Sequence, residues 1–222
     1  NNNGIPIGGA TSADYLATSN GNYSVTVYVR QRLFGATHYY TNVPMEITFK
    51  KSDWSEDVRK ILVSGALTAS TFTLSFNPAY TGLNVGSKIS DAISSKYKTV
   101  NATGPNSFSL TNASLNVQAV GADSSWVRIE HNFVKPDSVK SNTHSYRLND
   151  QHYWKVDGIF AQGFHSKAIF NFDGRKNTTG VSAYLDTLLT VTTADSVILL
   201  YRKNTADDWH EVDKYSKVKN GG

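Results

Sequence analysis

Polar and apolar residues alternate with period two along much of this chain, and that period predicts strands. Tyr23, Val25, Val27 and Val29 alternate with Ser24, Thr26, Tyr28 and Arg30, the signature of a half-buried strand. Val43, Met45, Ile47 and Phe49 repeat it. Pro44, near the start of that run, predicts an edge or a bulge, because proline has no N–H to give to a ladder. Residues 60–64 and 71–76 add two more strands, the second with Phe72, Leu74 and Phe76 on one face until Asn77-Pro78 breaks it. Four strands joined by short polar turns describe a sandwich.

The second half repeats the pattern. Residues 108–110, 115–120, 126–134, 146–156, 167–172, 185–191, 197–203 and 209–212 read as strands. Val197, Leu199 and Tyr201 share one face while Ile198 and Leu200 take the other, which predicts a central strand covered on both sides. Asp157-Gly158 and Asp173-Gly174 carry hairpin-turn chemistry. Residues 88–97, KISDAISSKY, form the single mid-chain helix that the pattern predicts. The expected organisation is therefore all-β, two consecutive antiparallel β-sandwiches of immunoglobulin or fibronectin type. Residues 1–20 read as a linker or arm, with a short helical turn at 12–17. Residues 21–98 are expected to form the first sandwich, 99–105 a linker and 106–222 the second sandwich.

Composition agrees with this picture. The chain has 222 residues, 39% hydrophobic and 18% charged, so a packed core is within reach and general disorder is not expected. The net charge of +4 is scattered, without a basic helix or an RNA-type aromatic motif, so no nucleic-acid partner is expected. No apolar run reaches the length of about 20 residues that a membrane helix needs, so no membrane span is expected. Cysteine is absent, which removes disulfides and thiolate metal sites. The opening Asn1-Asn2-Asn3-Gly4 and the closing KVKNGG read as the ends of a piece excised from a longer protein.

Candidate chemistry concentrates between Trp126 and Phe164, which hold two of the four Trp and three of the six His. His210-Glu211 lacks the second histidine of a zinc helix. Glu130 and His131 are neighbours on a strand, so they point to opposite faces and cannot chelate one ion together. His144 and His152 lie in one loop as the remaining metal candidates, and surface or hydrogen-bonded histidines are the preferred reading of them. No nucleophile elbow, P-loop or dinucleotide fingerprint is present, and no catalytic, cofactor or metal residue is assigned. The residues singled out for a ligand or an interface are Trp126, His152, Tyr153 and Trp154. Together with Tyr39-Tyr40 they also allow a sugar-stacking platform, provided that the rings are exposed on one sheet face.

VRQRLFG at residues 29–35, YYTNVPMEITF at 39–49, IEHNFV, YRLNDQHYWKVDGIF and VILLYRKNTADDW carry a resemblance. They resemble the β-sandwich region that follows the catalytic domain in secreted zinc metallopeptidases of the aminopeptidase N family from Bacteroidetes-type bacteria. The zinc helix, its downstream glutamate and the amine-binding loop of that family are absent from this chain. What the resemblance implies is a non-catalytic C-terminal region, secreted or at the cell surface. It has no cofactor of its own, its parent binds zinc, and its partner is the catalytic domain of the same polypeptide. The alternative is a carbohydrate- or surface-binding module built on exposed Trp and Tyr.

Overall fold

A computed structural model describes residues 21–33, 36–141, 146–172, 186 and 196–218, with residues 10–17 as backbone. The elements bounded among the described residues are strands, paired antiparallel. The chain divides into two compact units. Unit 1 comprises residues 1–134 and 152–172, and unit 2 comprises 135–151 and 173–222.

Within unit 1 the first six strands are β1 (Ala10–Ala17), β2 (Tyr23–Arg30), β3 (Val43–Lys50), β4 (Glu56–Val63), β5 (Leu67–Leu74) and β6 (Tyr80–Leu83). They form two sheets, ordered β1-β2-β5 and β4-β3-β6. Val25, Val27, Val29 and Leu74 from one sheet meet Ile47, Phe49, Ile61, Val63 and Leu83 from the other in a single core. The alternation in β2 places Val25, Val27 and Val29 inside, as their spacing predicts. Pro44 sits where β3 has a partner on one side alone. It faces Leu62 of β4, and β6 pairs with β3 from Ile47 onward. The missing N–H of Pro44 therefore leaves a central ladder intact.

Six further strands follow in unit 1. They are β7 (Ile93–Val100), β8 (Gly104–Phe108), β9 (Ala113–Ala119), β10 (Ser125–Asn132), β11 (Tyr153–Ile159) and β12 (His165–Phe170). Their sheets, β11-β10-β7 and β12-β9-β8, enclose a second core of Val100, Phe108, Ala113, Leu115, Val117, Val127 and Ile129.

Four expectations change here. The helix expected over 88–97 gives way to β7, which pairs with β10 from Ile93↔Asn132 to Val100↔Ser125. An isolated helix of ten residues is marginal, and the β-branched Ile93, Thr99 and Val100 favour an extended chain. Residues 99–105, expected as a linker, hold the end of β7, a turn and the start of β8. The helical turn expected at 12–17, inside the arm 1–20, is strand β1, zipped onto β2. Asp157-Gly158 is no turn: both residues lie inside β11, opposite Arg128 and Val127.

Unit 2 holds β13 (Leu200–Tyr201) and β14 (His210–Glu211), a two-stranded ribbon. The central covered strand expected at 197–203 is thus a two-residue strand paired with β14 among the described residues. Side chains on 197–200 are half-buried rather than covered. A knot of polar contacts organises this unit. Arg202 donates to Asp137 at 2.8 Å and stacks over Trp209, and the indole N–H of Trp209 donates to the Asp137 carbonyl at 3.1 Å. The carboxylate of Asp208 accepts the amides of Lys140 and Ser141 at 3.0 and 2.8 Å, and these bonds hold its pKa well below the usual carboxylate range. The strand expected over 185–191, the Asp173-Gly174 turn and His144 lie outside the described residues, apart from Asp186.

Candidate functional site on strand β10

Every residue of β10 is buried, although the strand reads Ser-Trp-Val-Arg-Ile-Glu-His-Asn. Its two faces do different work. Val127 and Ile129 point into the second core. On the same face His131 stacks on Trp154 with ring centroids 4.6 Å apart and an interplanar angle of 14°. Its Nε2 lies 2.7 Å from Nδ1 of His152, so one imidazole donates and the other accepts. The indole N–H of Trp154 donates to the carbonyl of Thr111 at 2.7 Å and ties β11 to the turn before β9. Two of the residues singled out from sequence, His152 and Trp154, are thus brought together as part of an aromatic cluster that caps a core.

Trp126 belongs to the opposite face, and Tyr153 shares that face through its register with Asn132. This face forms a chequered array across three strands. Register pairs Trp126 with Ile159, Arg128 with Asp157 and Glu130 with Lys155 on β11, and it pairs Arg128 with Tyr97 and Glu130 with Ser95 on β7. Positive and negative charges therefore alternate both along β10 and across to β11. Each charge has opposite neighbours, the arrangement that cross-strand pairing favours. Arg128 forms an ion pair with Glu130, and Lys155 forms one with Asp157 at 2.9 Å.

Neighbours far away in sequence cover the array. Arg128 donates to the hydroxyl of Tyr80 at 3.0 Å and to that of Ser95 at 3.1 Å. The ring of Tyr80 meets Trp126 edge-on with centroids 4.7 Å apart, and Val85 packs beside both. The ammonium of Lys50 lies 5.1 Å from the Trp126 ring centroid, within range of a cation–π contact. Two glycines make the close approach possible. A Cβ on Gly82 would stand 2.4 Å from the Tyr80 hydroxyl, and one on Gly158 would stand 2.2 Å from the Trp126 carbonyl oxygen. Asn84, at φ 49°, orders the following loop: its side-chain amide donates to the Ile89 carbonyl and to Asp91, and its oxygen accepts the amides of Lys88 and Ile89.

Electrostatics follow from this burial. Desolvation pushes the Tyr80 phenol up to about 12. Burial also raises the Asp91 carboxyl. For Arg128 and Lys155 burial works against the charge. Glu130, with Tyr80 for the arginine and Asp157 for the lysine, outweighs it and holds both pKa values above their ordinary range. The two basic and two acidic residues of the quartet balance in formal charge. Arg128 Nε, Glu130 Oε2 and Asn132 Nδ2 are buried atoms with no hydrogen-bond partner among the described residues.

The charged groups of the array pair with one another. Among the described residues, no group of three or more His, Asp or Glu side chains is placed to hold a metal ion. The array is also what sequence reasoning missed. Arg128 and Glu130 at alternate positions read as a solvated strand face. The one local signal against that reading is Trp126 on the same face. Comparison with protein-family models, with curated proteins and with solved structures returns no match.

Proposed function

We propose that this chain is a non-catalytic β-sandwich region of a secreted zinc aminopeptidase, packed beside the catalytic domain and shaping access to its cleft. The observation that carries this reading is the use made of β10. On its polar face Arg128 donates to Tyr80, Trp126 packs against Tyr80 and Val85, and Glu130 is buried with them, which joins the two halves of unit 1. That is the construction of a scaffold, in which charged groups set geometry rather than meet substrate. The same burial weighs against a glycan platform. Trp126 is 4% exposed, Trp154 is packed against the second core, and His152 is buried. No helix among the described residues is long and apolar enough to cross a membrane.

The test is to sequence the gene upstream of Asn1, express the whole polypeptide, and measure its zinc content and its hydrolysis of aminoacyl substrates. The expected result is an upstream His-Glu-x-x-His helix with a downstream glutamate ligand, one bound zinc and aminopeptidase activity, with none in the 222-residue chain alone. Hydrolysis by the isolated chain, or an upstream region without a zinc helix, would overturn the reading.

A further inference from the structure

A pair of titratable rings lies buried where the chain leaves and re-enters unit 1. His131 is 0% exposed and His152 3%. The β10–β11 ladder ends at the pair Asn132↔Tyr153, and the chain departs after Val134 and returns at His152. His152 therefore stands one residue beyond the last rung, and its Nδ1 lies 2.7 Å from Nε2 of His131. Phe133 packs on His131 with ring centroids 4.2 Å apart, Trp154 lies against both imidazoles, and Phe170 packs on Trp154. The amide of Phe133 donates to the Ala92 carbonyl at 2.8 Å, which keeps the chain ordered past the end of β10. Two apolar side chains would close this neck without the cost of burying ring nitrogens. What imidazoles add is a bond that depends on protonation.

A bond between Nε2 and Nδ1 needs one N–H and one lone pair. It survives one added proton, because an imidazolium donates to a neutral imidazole. It does not survive two, since both nitrogens then carry hydrogen. The described surroundings do not compensate two positive charges. By register, Lys96 and Lys98 of β7 share the face of His131, and no carboxylate of β7, β10 or β11 lies on it. Across the core, β8, β9 and β12 contain no Asp or Glu, and His165 and Lys167 of β12 are exposed. Arg128, Glu130, Lys155 and Asp157 belong to the opposite face. Asp150, two positions before His152, is held by Lys135 and Arg147. We infer that the bond between His131 and His152 is an acid-sensitive clasp on the neck where the chain leaves and re-enters unit 1. It is closed while at most one ring is protonated and opens when both are. An open neck takes up two protons below about pH 6.5, the clasped neck one. Closure is therefore fully favoured above that pH and weakens about tenfold per pH unit below it.

Amide exchange of the 222-residue chain between pH 7.5 and 4.5, corrected for the intrinsic pH dependence of exchange, tests this. The expected result is that protection at Phe133 and at the last rungs of the β10–β11 ladder falls about tenfold per pH unit below about 6.5, while β2 and β3 keep theirs. In His152→Gln, whose side chain keeps hydrogen-bonding groups but takes up no proton in this range, the decline should vanish. Imidazole nitrogen NMR of the unaltered chain gives a second readout that does not depend on the variant folding. At pH 7.5 one of the two bridging nitrogens should carry hydrogen and the other not, and both rings should become imidazolium only as protection is lost. Two imidazolium rings with undiminished protection overturn the inference, as does flat protection across the range or a decline that persists in His152→Gln. Loss of protection in β2 and β3 over the same range overturns it in favour of general acid unfolding. Neither zinc nor hydrolysis enters this test, so its failure leaves the peptidase reading untouched.

Discussion

Arg128 is the residue on which the seam of unit 1 turns. It supplies donors to Glu130, Tyr80 and Ser95 from a position 2% exposed. Removing one member of a buried ion pair leaves the other desolvated and unpaired, which costs about 3–5 kcal/mol. We expect Arg128→Met to lose that much in urea unfolding and Arg128→Met/Glu130→Leu to lose clearly less. A single-variant loss below about 1 kcal/mol would show that the pair is not desolvated as described. Tyr80 adds a pH dependence. Unfolded chains release phenolic protons near pH 10, whereas Tyr80 holds its proton to about 12. The folded state therefore binds more protons in that window. Stability is full below pH 10 and falls as pH rises towards 12, by roughly 2–3 kcal/mol from this group. Tyr80→Phe lowers stability at neutral pH, because Arg128 loses an acceptor, but it flattens the alkaline decline. Unfolding free energies of both proteins between pH 9 and 12 check this, and parallel slopes would refute it.

At the scale of elements, glycine decides how closely strands approach. Gly158 lies in β11 where a Cβ would collide with backbone, 2.2 Å from the Trp126 carbonyl oxygen and 3.1 Å from Val127 Cα. Backbone cannot move aside as a side-chain tip can. Gly158→Ala should therefore separate β10 from β11 and cost more than the ~1 kcal/mol that a propensity change alone could produce. Amide exchange should speed up across residues 153–159 while β3 and β4 keep their protection. Unchanged exchange in β11 would mean that the approach is looser than described. The same glycine explains a misreading. Asp-Gly is the commonest short signal for a hairpin turn, yet here its second residue serves a close contact inside a strand. Strands β2, β3, β5, β9 and β10 were legible because their apolar residues recur at the pleat period. β7 was not, since its residues alternate weakly and its strand character comes from pairing with β10.

For the whole molecule, the chain leaves unit 1 after Val134 and returns at His152, so the two units interleave in sequence. Ending the chain at Phe172 removes Arg202, Asp208 and Trp209, the partners of Asp137, Lys140 and Ser141, and keeps every strand of unit 1. We expect this truncated chain to retain cooperative unfolding and slow exchange in β10, with fast exchange at Lys140 and Ser141. Loss of protection in β10 would show instead that unit 1 depends on the removed segment.

The sequence by itself determined the all-β class, most strands and the inward-facing valines. These follow from the period-two geometry of an extended backbone, a property carried by each segment alone. Trp126, His152, Tyr153 and Trp154 were legible as a concentration of aromatic and imidazole groups, but not as two sets on opposite faces of one sheet. Only tertiary structure decided that Arg128 and Glu130 leave solvent. Their cover comes from Tyr80, 48 positions before Arg128 in the chain, and no local pattern encodes which distant surface will close over a polar strand face.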